Sequence, residues 1–187
     1  MSTHTVPCAT LDDLMGTEGK AELINGRIVH YMASGAVPSR IAKRILFALD
    51  PFVVALGVGE VFPDGVGYAV DPPLTSGRQS FSPDVSYHAP PLPANHAKFI
   101  DGPPTFAVEV RSENDFGPTQ DREYEAKRAD YFEAGTLVVW DVDYVSEAVT
   151  AYTAAAPLAP TVFRRGGVAD AEPAVPGWRL PVDALFA

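Results

Sequence analysis

The sequence predicts an α/β (α+β) fold on a mixed sheet flanked by helices, and three observations carry that expectation. Element types alternate along the chain as helix, hairpin, helix, several strands, helix and strands again. Two apolar runs, "FAVEV" at 106–110 and "TLVVWDVD" at 136–143, read as strands buried in a sheet. The 187 residues are 47% hydrophobic, with no internal repeat, low-complexity tract or dividing linker, which suits a single domain over 1–187.

The elements follow in order. Thr10 before "LDDL" reads as a helix N-cap, with Asp13 in the capping-box position usually held by Glu or Gln. "AELINGRIVHYM" reads as a hairpin turning at Asn25-Gly26, since both residues tolerate positive φ. "PSRIAKRILFALDPFVVALG" places Ile41, Ile45, Leu49 and Phe52 at helical spacing, with an interruption at Pro51 and a stop at Gly57. "EVF" and "GYAV" read as short strands about the turn Pro63-Asp64-Gly65. "FSPDVSYH" and "PTFAVEVRS" are two further strands, separated by a Pro-rich loop from Ala89 to Pro104. "PTQDREYEAKRADYFEAG" is a helix closing at Gly135, and "TLVVWDVD" and "AVTAYT" are strands. The tail "VPGWRLPVDALFA" is expected to lay Trp178 across the sheet edge.

Composition narrows the function classes. Fourteen Lys and Arg against 24 Asp and Glu give a net charge of −10, which offers no electrostatic footprint for loose nucleic-acid binding. Cys8 is the only cysteine, so an internal disulfide and a cysteine zinc cage are excluded and a reducing cytoplasm fits. "MSTHTVPCATLDDLM" lacks the charged and apolar regions of a secretory leader, and no run is long enough to span a membrane. A cytoplasmic protein is expected. His30, His88 and His96 are scattered without ligand spacing, and Cys8 has no nearby base.

Chemistry concentrates in "FAVEV". Alternation places Phe106, Val108 and Val110 on one face of that strand, and Ala107, Glu109 and Arg111 on the other. A buried carboxylate such as Glu109 is costly without a cation. If the strand opening at Pro83-Asp84 pairs with it in suitable register, Asp84 and Glu109 converge, and a hard divalent ion resolves their repulsion. On the following helix Tyr124, Lys127, Arg128 and Tyr131 share a face, from which Lys127 would reach the carboxylates.

"SPDV", "FAVEVRS", "KRADYFEAGTLVVWDVD" and "VPGWRLPV", in that order, resemble the Uma-two family of proposed restriction endonucleases, which is placed in the PD-(D/E)XK nuclease superfamily. "AELINGRIV" is similar to the family's Glu-Leu-Ile-x-Gly opening, so the likeness runs from Glu22 to the C-terminus. The resemblance implies a restriction-endonuclease-like core with an N-terminal helix and hairpin. It implies Asp84 and Glu109 as ligands of Mg2+, with Mn2+ as a substitute, and the Val110 carbonyl as a third donor. It implies DNA as substrate, with homodimer formation plausible for the family. Lys127 matches the lysine that this family carries on the following helix. Arg111 stands where the wider superfamily has lysine; it cannot serve as a base but can stabilise phosphate charge. Glu22 matches an early glutamate that holds water or metal from the opposite side. The family often has a histidine where this chain has Pro38.

Plainer readings stand beside these. Asp64 reads as a turn residue, and Asp84 as a residue that simply opens a strand. Glu109 can be one half of a buried ion pair with Arg111, Arg128 or Lys127. Lys127 can pair with Glu123 on the helix surface, and Tyr124 and Tyr131 can serve packing alone. In function, the alternatives are a binding or regulatory module that keeps the fold without cleaving, and a metal-dependent phosphodiesterase for a small phosphorylated molecule.

Overall fold

The computed structural model describes residues 8–91 and 98–187; His96 lies outside them. Thr10 caps α1 (Leu11–Met15) through the expected box: its hydroxyl accepts the Asp13 N–H, and the Asp13 carboxylate accepts the Thr10 N–H at 2.8 Å. β1 (Ala21–Ile24) and β2 (Arg27–His30) form the hairpin in the register Ile24 to Arg27. Asn25 and Gly26 take φ of 51° and 65°, the two left-handed positions that a two-residue turn of this kind requires.

α2 (Ala36–Leu56) runs straight through Pro51, against the expected interruption. Pro51 is exposed while Leu49 and Val53 beside it are buried, so packing of the inner face outweighs one missing hydrogen bond. Val53 rather than half-buried Phe52 completes the core stripe. Gly57 ends the helix at φ 69°, as expected.

β3 (Glu60–Pro63) and β4 (Tyr68–Ala69) flank the Asp64-Gly65 turn but join different sheets. "FSPDVSYH" is two strands, not one. β5 (Ser80–Phe81) belongs to a small three-stranded sheet, and β6 (Val85–His88) to the main one. The chain changes sheets at Ser82-Pro83-Asp84, where proline removes a ladder donor. The segment expected to be pure loop also holds β7 (Ile100–Asp101), paired with β4.

β8 (Phe106–Val110), α3 (Pro118–Ala134) and β9 (Val138–Asp143) form a parallel crossover. β10 (Ala148–Thr153) and β11 (Ala156–Arg164) extend the sheet antiparallel, giving the order β11-β10-β9-β8-β6-β3. β11 was not evident from sequence. Pro157 and Pro160 break its pattern, and both are tolerated because β11 is an edge strand. β12 (Val168–Asp170) and β13 (Arg179–Pro181) close the tail as a separate ribbon.

The sheet is mixed and has two different faces. On one, Ile41, Ile45 and Leu49 of α2 meet Phe106, Val108 and Val110. Trp178 lies on this same face and not across the edge. Its ring stacks on Trp140 at 5.2 Å, and Trp140 meets Phe106 edge-on at 5.2 Å. An indole buries far more apolar area against the middle of a sheet than at its rim, which explains the placement. On the other face α3 brings Tyr131 against Ala107 and Val139, and next to them sits the charged Glu109. No helix among the described residues is long and apolar enough to cross a membrane.

Candidate functional site

The antiparallel register of β6 and β8 pairs Val85 with Val108, and Asp84 stands immediately before that pair, at the mouth of β6. Two hydrogen bonds tie Asp84 to the backbone on either side of Glu109. The Asp84 N–H donates to the Val108 carbonyl at 3.0 Å, and the Val110 N–H donates to Asp84 Oδ2 at 2.8 Å. Within a strand, a residue's N–H and C=O point to the same neighbour, so the Val110 carbonyl also faces the Asp84 side.

Each carboxylate meets an ammonium. Glu109 Oε1 lies 2.8 Å from Lys127 Nζ and accepts the Tyr131 hydroxyl at 2.6 Å. Asp84 Oδ1 lies 2.7 Å from Lys20 Nζ, which also reaches Asp64 at 2.8 Å. Of the partners considered for Glu109, Lys127 is the one found; Arg111 and Arg128 both turn to Asp141. Lys127 points inward at this site rather than lying on the helix surface with Glu123.

Glu22 is fully buried and ties the cluster together. It accepts the Ser82 N–H at 3.0 Å and the Tyr31 hydroxyl at 2.9 Å, and pairs with Lys127 at 3.1 Å and with Arg78. Arg78 in turn donates to Asp130 at 2.8 Å. Burial pushes the Glu22 carboxyl up, but Lys127 and Arg78 outweigh it and hold the group down at about 2. Glu109 goes the other way. Burial raises it, Lys127 offsets only part of that, and the Asp84 charge adds to the rise. Burial also opposes the charges of Lys127 and Lys20, yet their carboxylate partners win and both stay firmly protonated. The site therefore offers ammonium groups for charge stabilisation and no neutral amine to act as a base.

Arg111 shares the Glu109 face, as alternation requires, but its guanidinium is engaged elsewhere. It forms a fork on Asp141 with two bonds of 2.9 Å, reaches Asp121 at 2.6 Å and lies 4.6 Å from the centre of the Tyr124 ring. Tyr124 and Tyr131 thus each touch a charged group besides packing.

A cavity of about 180 Å³ opens onto Asp84 and Val85, with Asp64 on its rim and Lys43 on its α2 wall. Pro38 lines it too, in the first turn of α2 where a proline ring costs no internal hydrogen bond. The rim is mixed in sign rather than uniformly acidic. His30 stands opposite Ala21 in the hairpin and His88 ends β6, and neither bonds to these groups; Cys8 is exposed, beside Gly26. Asp64 is a turn residue, as read, and also a partner of Lys20.

Sequence reasoning missed Lys20, Arg78, Asp130, Asp141 and Tyr31. One signal was available for Lys20: it stands two residues before Glu22, and alternation gives both the same face. Asp141 was equally accessible, since the parallel pairing of the two apolar runs sets it beside Glu109. Nothing local marks Arg78, whose partners are 56 and 52 residues away.

The family model described as "Uma2: Putative restriction endonuclease" matches residues 8–183. The chain belongs to the Uma2 family. The matched span contains every member of the charged cluster, from Lys20 to Asp141. Among solved structures, this Uma2 chain is similar to one described as a "putative nuclease belonging to DUF820" from Anabaena variabilis. The TM-score is 0.73 at 18% identity, over 95% of this chain and 97% of that one. At that identity the likeness establishes a shared fold. No curated protein matches.

Proposed function

We propose that this chain is a magnesium-dependent endonuclease that hydrolyses phosphodiester bonds of DNA. The observation that carries the reading is Asp84, which lines an open cavity, tied to the backbone of Val108 and Val110 on either side of Glu109. The donor set fits a hard divalent cation: two carboxylates and the Val110 carbonyl, all oxygen, with Asp84 open to the cavity. Two carboxylates suit Mg2+, which commonly takes one or two, with Mn2+ as a substitute. When bound, the ion would polarise the scissile phosphate and lower the pKa of a water molecule.

The chain's own residues supply the rest. Lys127, held by Glu22 and Glu109, directs a fixed positive charge at the place where negative charge develops. Glu22 acts through Lys127, since its carboxylate is saturated by Lys127, Arg78, Tyr31 and Ser82. Arg111 adds positive potential from its seat on Asp141 and keeps the end of β8 in place. The family's description as a restriction endonuclease supports DNA as the substrate class. Incubation of plasmid and single-stranded DNA with Mg2+ or Mn2+ tests the reaction. Cleavage by wild type and none by Asp84→Ala is expected; equal products from both would remove the assignment.

Two points favour a second reading, a nuclease-fold binding module: both carboxylates are already paired with lysines, and Pro38 stands about where the family resemblance places a histidine. Retention of DNA without cleavage under either metal would support it.

A further inference from the structure

Lys20 bridges two carboxylates that both line the cavity, Asp84 and Asp64. Its backbone is fixed, because its carbonyl accepts the Tyr31 N–H at 2.9 Å as the hairpin ladder continues. From there the ammonium reaches Asp84 at 2.7 Å and Asp64 at 2.8 Å. The two acceptors differ. The Asp84 side chain is 13% exposed and its other oxygen takes the Val110 N–H, whereas Asp64 is 51% exposed on a turn. The Asp84 oxygen that Lys20 holds is therefore the one not committed to the backbone, and Asp84 and Asp64 line the same cavity.

We propose that Lys20 is the exchangeable counter-ion of Asp84: it occupies Oδ1 in the metal-free protein and passes wholly to Asp64 when a divalent cation takes that oxygen. This rests on the metal site proposed above. The charge balance makes the exchange feasible. Losing Asp84 would strand a partly buried ammonium unless another anion lay within reach, and Asp64 is already in contact. The turn residue thus becomes a positioning residue for the site.

The test is Mn2+ titration of the full chain by calorimetry, with folding of each variant checked by its urea transition. Lys20→Met is expected to bind about tenfold more tightly than wild type, and Lys20→Arg, which keeps a cation, to stay close to wild type. Asp64→Asn is expected to bind about threefold more weakly, because Lys20 then has nowhere to go. In the Lys20→Met background, Asp64→Asn should change nothing further. That non-additivity separates hand-over from plain long-range attraction, which would make the two effects add. Lys20→Gln repeats the measurement should Lys20→Met not fold. Binding by Lys20→Met with none by wild type would also support the proposal. Equal affinities of wild type and Lys20→Met would overturn it while leaving the metal site standing, and additive effects would overturn the part given to Asp64. No binding by either would remove both the site and the exchange.

Discussion

Glu22 and Glu109, from strands of different sheets, hold the same ammonium: Lys127 Nζ lies 3.1 Å from one and 2.8 Å from the other. The hairpin, the main sheet and α3 are joined at that point by charge rather than by apolar contact. Removing the shared cation leaves two buried carboxylates facing each other. Lys127→Met should therefore destabilise the fold by about 3–5 kcal/mol, measured by urea denaturation, and should abolish the proposed cleavage.

Acid should act through Glu22. Its folded-state value of about 2 is below the ordinary 4.5, so its stabilisation is present above 4.5 and is lost as pH falls toward 2. Glu109 has the opposite sign. A raised carboxyl favours the folded state while protonated, and that contribution is lost as pH rises through its folded value. Stability against pH for Glu22→Gln should show a shallower acid limb between 4.5 and 2 than wild type. A parallel curve would mean that Glu22 is not the group responsible.

Arg111 is a fork as well as a charge. Lys at this position keeps the charge but cannot make both bonds to Asp141 or lie flat on Tyr124. Arg111→Lys should cost about 1–3 kcal/mol of stability with little change in Mn2+ affinity. A large loss of affinity would instead give Arg111 a direct part in the site.

Pro51 offers a gain. It is exposed within a continuous α2 and lacks the N–H that would complete the helix ladder. Pro51→Ala should raise stability by about 1–2 kcal/mol, the helix penalty of proline less the added freedom of the unfolded chain. A thermal melt checks it.

Much of this geometry could be read from local pattern. Alternation separated Val108 from Glu109, Asn25-Gly26 announced the hairpin, and Thr10 announced α1, because each depends on residues within a few positions. What escaped depends on partners far along the chain. "FSPDVSYH" carries no sign that it changes sheets at Pro83. α3 has no apolar stripe, since Lys127, Arg128, Asp130 and Tyr131 all turn inward to charged partners. β11 hides behind Pro157 and Pro160. Trp178 declared its burial but not its destination, because Trp140 lies 38 positions earlier.

The central claim is that Asp84 and Glu109 together hold one divalent cation. Anomalous diffraction from a crystal soaked in Mn2+ tests it most directly. The account predicts a single peak between the two carboxylates, within reach of the Val110 carbonyl. Density showing Lys20 still on Asp84 and Lys127 still on Glu109, with no peak between them, would contradict it.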